Sequence, residues 1–153
     1  MSMYILKEEQ TGDYLFSTDR SRMDIQVIFR FISEQSYWAQ GISIETVKRS
    51  IENSLCFGIY HQGEQVGFAR IITDYATIAY LGDVFVDEAH RGKGLSKALM
   101  TFMQSIEEMK TLRRMILLTR DAHTLYAQYG FKPLAAPQNY MELHRPDIYK
   151  KHN

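Results

Sequence analysis

Residues 80–109 read YLGDVFVDEAHRGKGLSKALMTFMQSIEEM, an apolar strand, a turn rich in charge and glycine, and a helix. Along the last part, Leu95, Leu99, Phe102, Ile106 and Met109 recur at steps of four, three, four and three, which marks one buried face of a helix. Gly92 and Gly94 let the backbone turn tightly and bring its amides close to a ligand, and the first helical turn supplies further unpaired N–H groups. Such a helix start attracts an anion, and here Arg91 adds a fixed positive charge and Ser96 a hydroxyl. The spacing around the two glycines is neither GxxxxGK followed by Ser or Thr, as in a P-loop, nor the GxGxxG of a dinucleotide fold.

The 153 residues suit one domain with a substantial core, 45% of them hydrophobic and 12% aromatic. With 18 basic and 18 acidic residues the formal charge is zero, so no general attraction to nucleic acid or to an anionic membrane is expected, and any anion site must be local. The sole cysteine, Cys56, lies in the apolar run LCFGIY and has no internal disulfide partner, which fits a buried inert thiol in a reducing compartment. The beginning MSMYILKEEQ lacks the apolar segment of a secretion signal, and no apolar run approaches a membrane span, so a cytoplasmic location is expected. The histidines, at positions 61, 90, 123, 144 and 152, are scattered without ligand spacing, and no metal is expected.

In chain order, residues 4–6 and 14–17 flank the turn signal Thr11, Gly12, Asp13 and suggest an opening strand or hairpin. Asp24 can cap a first helix carrying Ile25, Ile28, Phe29 and Ile32, which breaks by Gly41, and Ser43 a second carrying Ile44, Val47 and Ile51. Residues 55–60, 65–73 and 77–86 read as a three-stranded antiparallel meander. Beyond the helix that reaches Met109, residues 115–118 fit a buried strand, Ala122, Leu125, Tyr126 and Tyr129 a helix ended by Gly130, and residues 131–134 and 141–144 two last strands.

Two stretches carry a resemblance. Arg91, Gly94 and Ser96 occupy the places of the acetyl-CoA motif of the GNAT N-acetyltransferase superfamily, with Ser96 where Gly or Ala is usual. TRDAHTLYAQYGF resembles the closing element of that superfamily through Ala122, Leu125, Tyr126, Gly130 and Phe131, with Thr119 where Asn is frequent. The order helix, helix, three strands, glycine turn, helix, strand, helix, strand, strand also resembles it. The resemblance implies an α/β (α+β) GNAT fold over residues 1–153: a mixed, mostly antiparallel sheet of about six to seven strands flanked by about four helices.

It further implies an acetyltransferase that uses acetyl-CoA as co-substrate. The pyrophosphate would lie on the amides of Arg91, Gly92, Lys93, Gly94, Leu95 and Ser96. The pantetheine arm would pair with the open edge of the strand at residues 77–86, along Val84, Phe85 and Val86. Val84 stands where the superfamily offers an N–H to the thioester oxygen, and Tyr126 where it places the acid that protonates the leaving thiolate.

Asp83 is the first candidate for the base that receives the amine's proton. Strict alternation sends it to the face opposite Val84 and Val86, a bulge could redirect it, and the bland alternative pairs it with Arg70. Glu88 reads as solvated and His123 as a capping or packing residue. The acceptor pocket is expected from residues 36–41, with Tyr37 and Trp38 as an apolar wall, unless Trp38 closes the core, and with Asp74 or Asp83 attracting a cationic amine. The reaction expected is direct transfer to the primary amine of a small molecule in a ternary complex, with a homodimer left open. The alternatives are a protein N-terminus or lysine as acceptor, and a non-catalytic CoA-binding sensor or partner module.

Overall fold

The structure, a computed structural model, describes residues 4–150; His152 lies outside them. One six-stranded sheet runs in chain order through β1 (Glu8–Thr11), β2 (Tyr14–Ser17), β3 (Leu55–His61), β4 (Glu64–Thr73), β5 (Ile78–Val86) and β6 (Arg114–Leu117). All neighbours are antiparallel except β5 and β6. The helices are α1 (Ile25–Arg30), which continues through a π-helical turn over Phe31–Gln35, α2 (Ile44–Glu52), α3 (Leu95–Gln104), α4 (Glu107–Lys110) and α5 (His123–Ala127).

Both faces of the sheet are covered, so β3 reads as a continuous apolar run instead of an alternating one. Leu55, Phe57 and Ile59 pack with Leu99, Phe102 and Met103 of α3, while Cys56 joins Ile28, Ile32, Val47 and Ile51 beneath α1 and α2. Burial pushes the Cys56 thiol up to about 12, so it stays a protonated, inert core group. Asp24 and Ser43 cap α1 and α2 as their side chains predict, Asp24 accepting from Gln26 and Val27 and Ser43 from Thr46.

Three readings of the sequence need correction. The opening hairpin uses residues 8–11, not 4–6, as its first strand. The helix expected to run to Met109 stops at Gln104, where the Ser105 hydroxyl donates to the Phe102 carbonyl and itself accepts from Lys7 Nζ at 2.6 Å. Ile106 is then extended and α4 starts anew, yet Ile106 and Met109 remain buried in the α3 cluster. Residues 131–134 and 141–144 form no strand; Met141 is 98% exposed and Leu143 81%, so those segments lack the burial that would hold them in the sheet.

The sheet departs from regularity where it matters most. In β5, Gly82 faces Arg70 and Phe85 faces Phe68, so Asp83 and Val84 together oppose the single residue Ala69. Asp83 adopts φ +54°, and this bulge shifts the alternation by one. Ala79 and Leu81 face α3 before it and Val86 after it, while Phe85 turns to the other face and stacks on Phe31 with ring centroids 4.0 Å apart. β6 pairs with β5 only from Ile78 to Leu81, leaving residues 82–86 without a partner on that side.

Candidate active site

The unpartnered half of β5 leads into the glycine turn. The Asp87 N–H donates to the Val66 carbonyl at 2.7 Å, a short 3-10 turn follows over Glu88–His90, and Arg91 folds back so that its Nε donates to the Val86 carbonyl at 3.0 Å. Gly92 and Gly94 lie in the left-handed region at φ +78° and +74°, and Gly94 caps α3 with no side chain closing the helix end. A Cβ built on either glycine meets nothing within 4 Å, so what demands glycine is the backbone angle, and the space in front of the amides is open. That space is a hollow of about 410 Å³ lined by Val86, Arg91, Gly92, Gly94, Ser96 and Leu125, among others. Leu95, also on the lining, is buried in the core, while Lys93 is exposed. The N–H groups of the first turn of α3 have no helical partner, and the residues that carry them border this hollow.

α5 packs against the same hollow, contributing Leu125 to its lining and Tyr126 to the core beside Val86 and Leu95. The Thr119 hydroxyl accepts from the Ala122 N–H, which ties down the approach to α5. Tyr126 stands edge-on to Phe131 with centroids 5.9 Å apart, and among the described residues its hydroxyl has no hydrogen-bond partner. Burial, and after it the nearby Tyr37 phenol, raise its pKa above the ordinary tyrosine value of 10.0, so it is a proton carrier throughout the neutral range.

Across β5 lies a second group of side chains. Asp83 accepts from Arg70 Nε at 2.6 Å through one oxygen and from Trp38 Nε1 at 2.8 Å through the other. Trp38 is 42% exposed and edge-on to Tyr37, 48% exposed, at 5.0 Å, so it stands at the surface and does not close the core. Tyr80 belongs to this group: a Cβ on Gly82 would come within 3.1 Å of its ring, and burial, then the Asp83 charge, raise its pKa. Arg120, beyond β6, lays its guanidinium 3.8 Å from the centre of the Tyr37 ring.

Asp83 is therefore the partner of Arg70 that the bland reading foresaw, and its carboxylate is already engaged twice. The bulge exists, but it leaves Asp83 on the face of Arg70 and Trp38. Arg70 and Asp83 are only 19% and 10% exposed, which makes the pair expensive to break. Arg70→Met, which strands the carboxylate, is expected to lower unfolding free energy by about 3 kcal/mol in urea titrations. A loss below about 1 kcal/mol would mean that solvent screens the pair.

Asp74 does not join this group. It sits in the turn before β5, where its carboxylate accepts from the Ala76, Thr77 and Ile78 N–H groups and the Thr77 hydroxyl, which hold its pKa well below the usual carboxylate range. It lies at the end of β5 remote from Asp83. Tyr129 is tied structurally, donating to the Lys97 carbonyl at 2.8 Å, and Glu88 and His123 are exposed. Tyr80 and Arg120 are the site residues that sequence reasoning missed. The only hint of Tyr80 was its place in the strand two residues before Gly82, and of Arg120 its place within TRDAH. Among the described residues no three His, Cys, Asp or Glu side chains gather to hold a metal ion, and no helix is long and apolar enough to cross a membrane.

A mixed sheet whose β5 and β6 part beyond Leu81, with a glycine-capped helix at the mouth and a tyrosine beside it, is the frame of an acyltransferase. The chain belongs to the acetyltransferase (GNAT) domain family, which residues 52–133 match. It is 48% identical to a candidate GNAT acetyltransferase of Xanthomonas campestris pv. campestris, whose crystal structure superimposes with a TM-score of 0.89 over 93% of this chain and 100% of that one. It is 29% identical to a candidate acetyltransferase of Gibberella zeae, over 76% of this chain and 77% of that protein. The fold also matches the structure of a candidate acetyltransferase with acetyl-CoA from Clostridium acetobutylicum, at 16% identity and a TM-score of 0.62, over 86% of this chain and 94% of that one.

Proposed function

We infer that this protein, acting as a single domain, transfers the acetyl group of acetyl-CoA to the primary amine of a small molecule by direct attack in a ternary complex. The observation that carries the reading is the open edge of β5 at residues 82–86, running from the Asp83 bulge straight to the amides of residues 91–96. The edge accepts an amide-bearing pantetheine arm as an added strand, and the glycine turn accepts the pyrophosphate. The Clostridium structure with acetyl-CoA supports the same donor here. The sequence reading gave the whole strand as open; pairing with β6 confines the edge to residues 82–86, which includes Val84.

The amine nitrogen attacks the thioester carbon, the C–N bond forms and the C–S bond breaks. Negative charge developing on the carbonyl oxygen is met by the Val84 N–H, an interaction of the kind whose loss costs roughly a hundred- to a thousandfold in rate. The departing thiolate takes its proton from Tyr126, the proton lost by the amine passes to water, and the Tyr126 phenolate recovers a proton from water to restore the acid. Because Asp83 is already held by Arg70 and Trp38, its part is to fix Trp38 and the acceptor wall. Cys56, buried on the α1 and α2 face, takes no covalent role.

The test is release of CoA thiol from acetyl-CoA across amines, polyamines, amino acids, aminoglycosides and peptides. Amine-dependent release with an N-acetylated product by mass spectrometry is expected. Binding of acetyl-CoA without release against any amine would make the protein a CoA-binding module instead.

A further inference from the structure

Beside Tyr37 and Trp38 stands one cation, Arg120, that forms no ion pair among the described residues. The Arg120 N–H donates to Tyr37 Oη at 3.3 Å, and its guanidinium lies over the Tyr37 ring. These two contacts fix Arg120 against the loop between α1 and α2. Among the described residues no carboxylate oxygen comes within 4.0 Å of the guanidinium; the four ion pairs found all lie elsewhere. Asp121, the next residue, is exposed and unpaired with it. Asp83, linked to Tyr37 through Trp38, is paired with Arg70.

Asp121 lies near enough to act on Tyr126 but forms no ion pair with Arg120, so the guanidinium itself is left without a carboxylate. A guanidinium held over a phenol ring by its cation–π contact still has N–H groups to offer, in the fork that matches a carboxylate. Tyr37, which accepts the Arg120 N–H, keeps its own hydroxyl hydrogen for the same ligand. Tyr37 stands edge-on to Trp38 with ring centroids 5.0 Å apart, and Trp38 donates to Asp83 beside Val84, so a group held at Arg120 lies next to the reacting stretch of β5.

We propose that Arg120, clamped on Tyr37, binds a carboxylate of the acceptor, so that the amine this protein acetylates is that of an amino acid. The inference rests on the transferase reading above and narrows its acceptor. The deciding experiment compares α-amino acids with their carboxamides, with the decarboxylated amines and with phosphoethanolamine, in the thiol-release assay. The acid should exceed its carboxamide in kcat/KM by about tenfold to a hundredfold, the worth of one charged hydrogen-bonded contact.

Arg120→Gln should bring that ratio close to one, and Arg120→Lys should retain part of it, with acetyl-CoA still bound by calorimetry and the fold intact by circular dichroism. Equal turnover of acid and carboxamide in the wild type overturns the inference, as does an Arg120→Gln protein that keeps the ratio. Preference for phosphoethanolamine overturns the carboxylate, and preference for polyamines overturns the anionic acceptor; both leave the transferase standing. Acetyl-CoA binding with no amine turned over removes both.

Discussion

Gly94→Glu is expected to lose acetyl-CoA binding, with affinity by calorimetry falling at least about a hundredfold, while the protein remains folded. Two effects of the same substitution act together. The residue sits at φ +74°, where an L side chain is strained by roughly 1–2 kcal/mol, so the cap of α3 is distorted. The carboxylate also enters the open space before unpaired amides and repels a pyrophosphate there. Losing even one charge-assisted hydrogen bond of about 1.5–3 kcal/mol accounts for tenfold or more.

Gly94→Ala separates the two. Its Cβ meets nothing within 4 Å, so it carries the strain without the charge and should weaken binding far less than the glutamate. Thermal unfolding shows whether the strain stays local, since about 1 kcal/mol moves the midpoint by roughly 2–4 °C in a chain of this size. A folded Gly94→Glu protein with wild-type affinity would remove the glycine turn from the cofactor site.

How much of this was legible beforehand depends on whether a feature is local. The glycine turn, the caps of α1 and α2 and the buried face of α3 are short-range patterns, and each is where its residues indicate. The α3 stripe even stayed buried through the break at Ser105, because periodicity reports which residues face the core and not whether the helix is continuous. Residues 131–144 misled for the converse reason: Leu134, Met141 and Leu143 look like strand residues, but burial is conferred by neighbours distant in sequence, and here they are exposed.

Asp83 lies between these cases. Its pairing with Arg70 follows from neighbouring strands, whereas a non-glycine residue at φ +54° leaves no mark in the sequence. That bulge lets Phe85 reach Phe31 and leaves Val84 on the face of α3 and α5 while Asp83 meets Trp38. The contact of Arg120 with Tyr37 spans 83 positions and arises only because the chain beyond β6 reaches the segment between α1 and α2.

Tyr126→Phe is expected to lower kcat by something like ten- to a thousandfold with acetyl-CoA affinity nearly unchanged, within the range of about a hundred to ten thousand typical of acid catalysis. The substitution removes one oxygen and keeps the ring that packs against Phe131. Because the hydroxyl has no partner among the described residues, no buried hydrogen bond is broken, and stability should change by less than about 1 kcal/mol. The raised pKa of Tyr126 gives the sign of the pH effect: the protonated, competent form persists past the ordinary tyrosine value of 10.0, so wild-type kcat should not fall on the alkaline side before that value. In the phenylalanine variant the thiolate must find its proton in water, and the residual rate should lose any alkaline limb that belongs to this group. Single-turnover measurement is required where product release limits the wild type, since a slow release would hide the loss. A folded Tyr126→Phe protein with wild-type single-turnover rate would rule out the acid role and leave Tyr126 as a core residue beside the hollow.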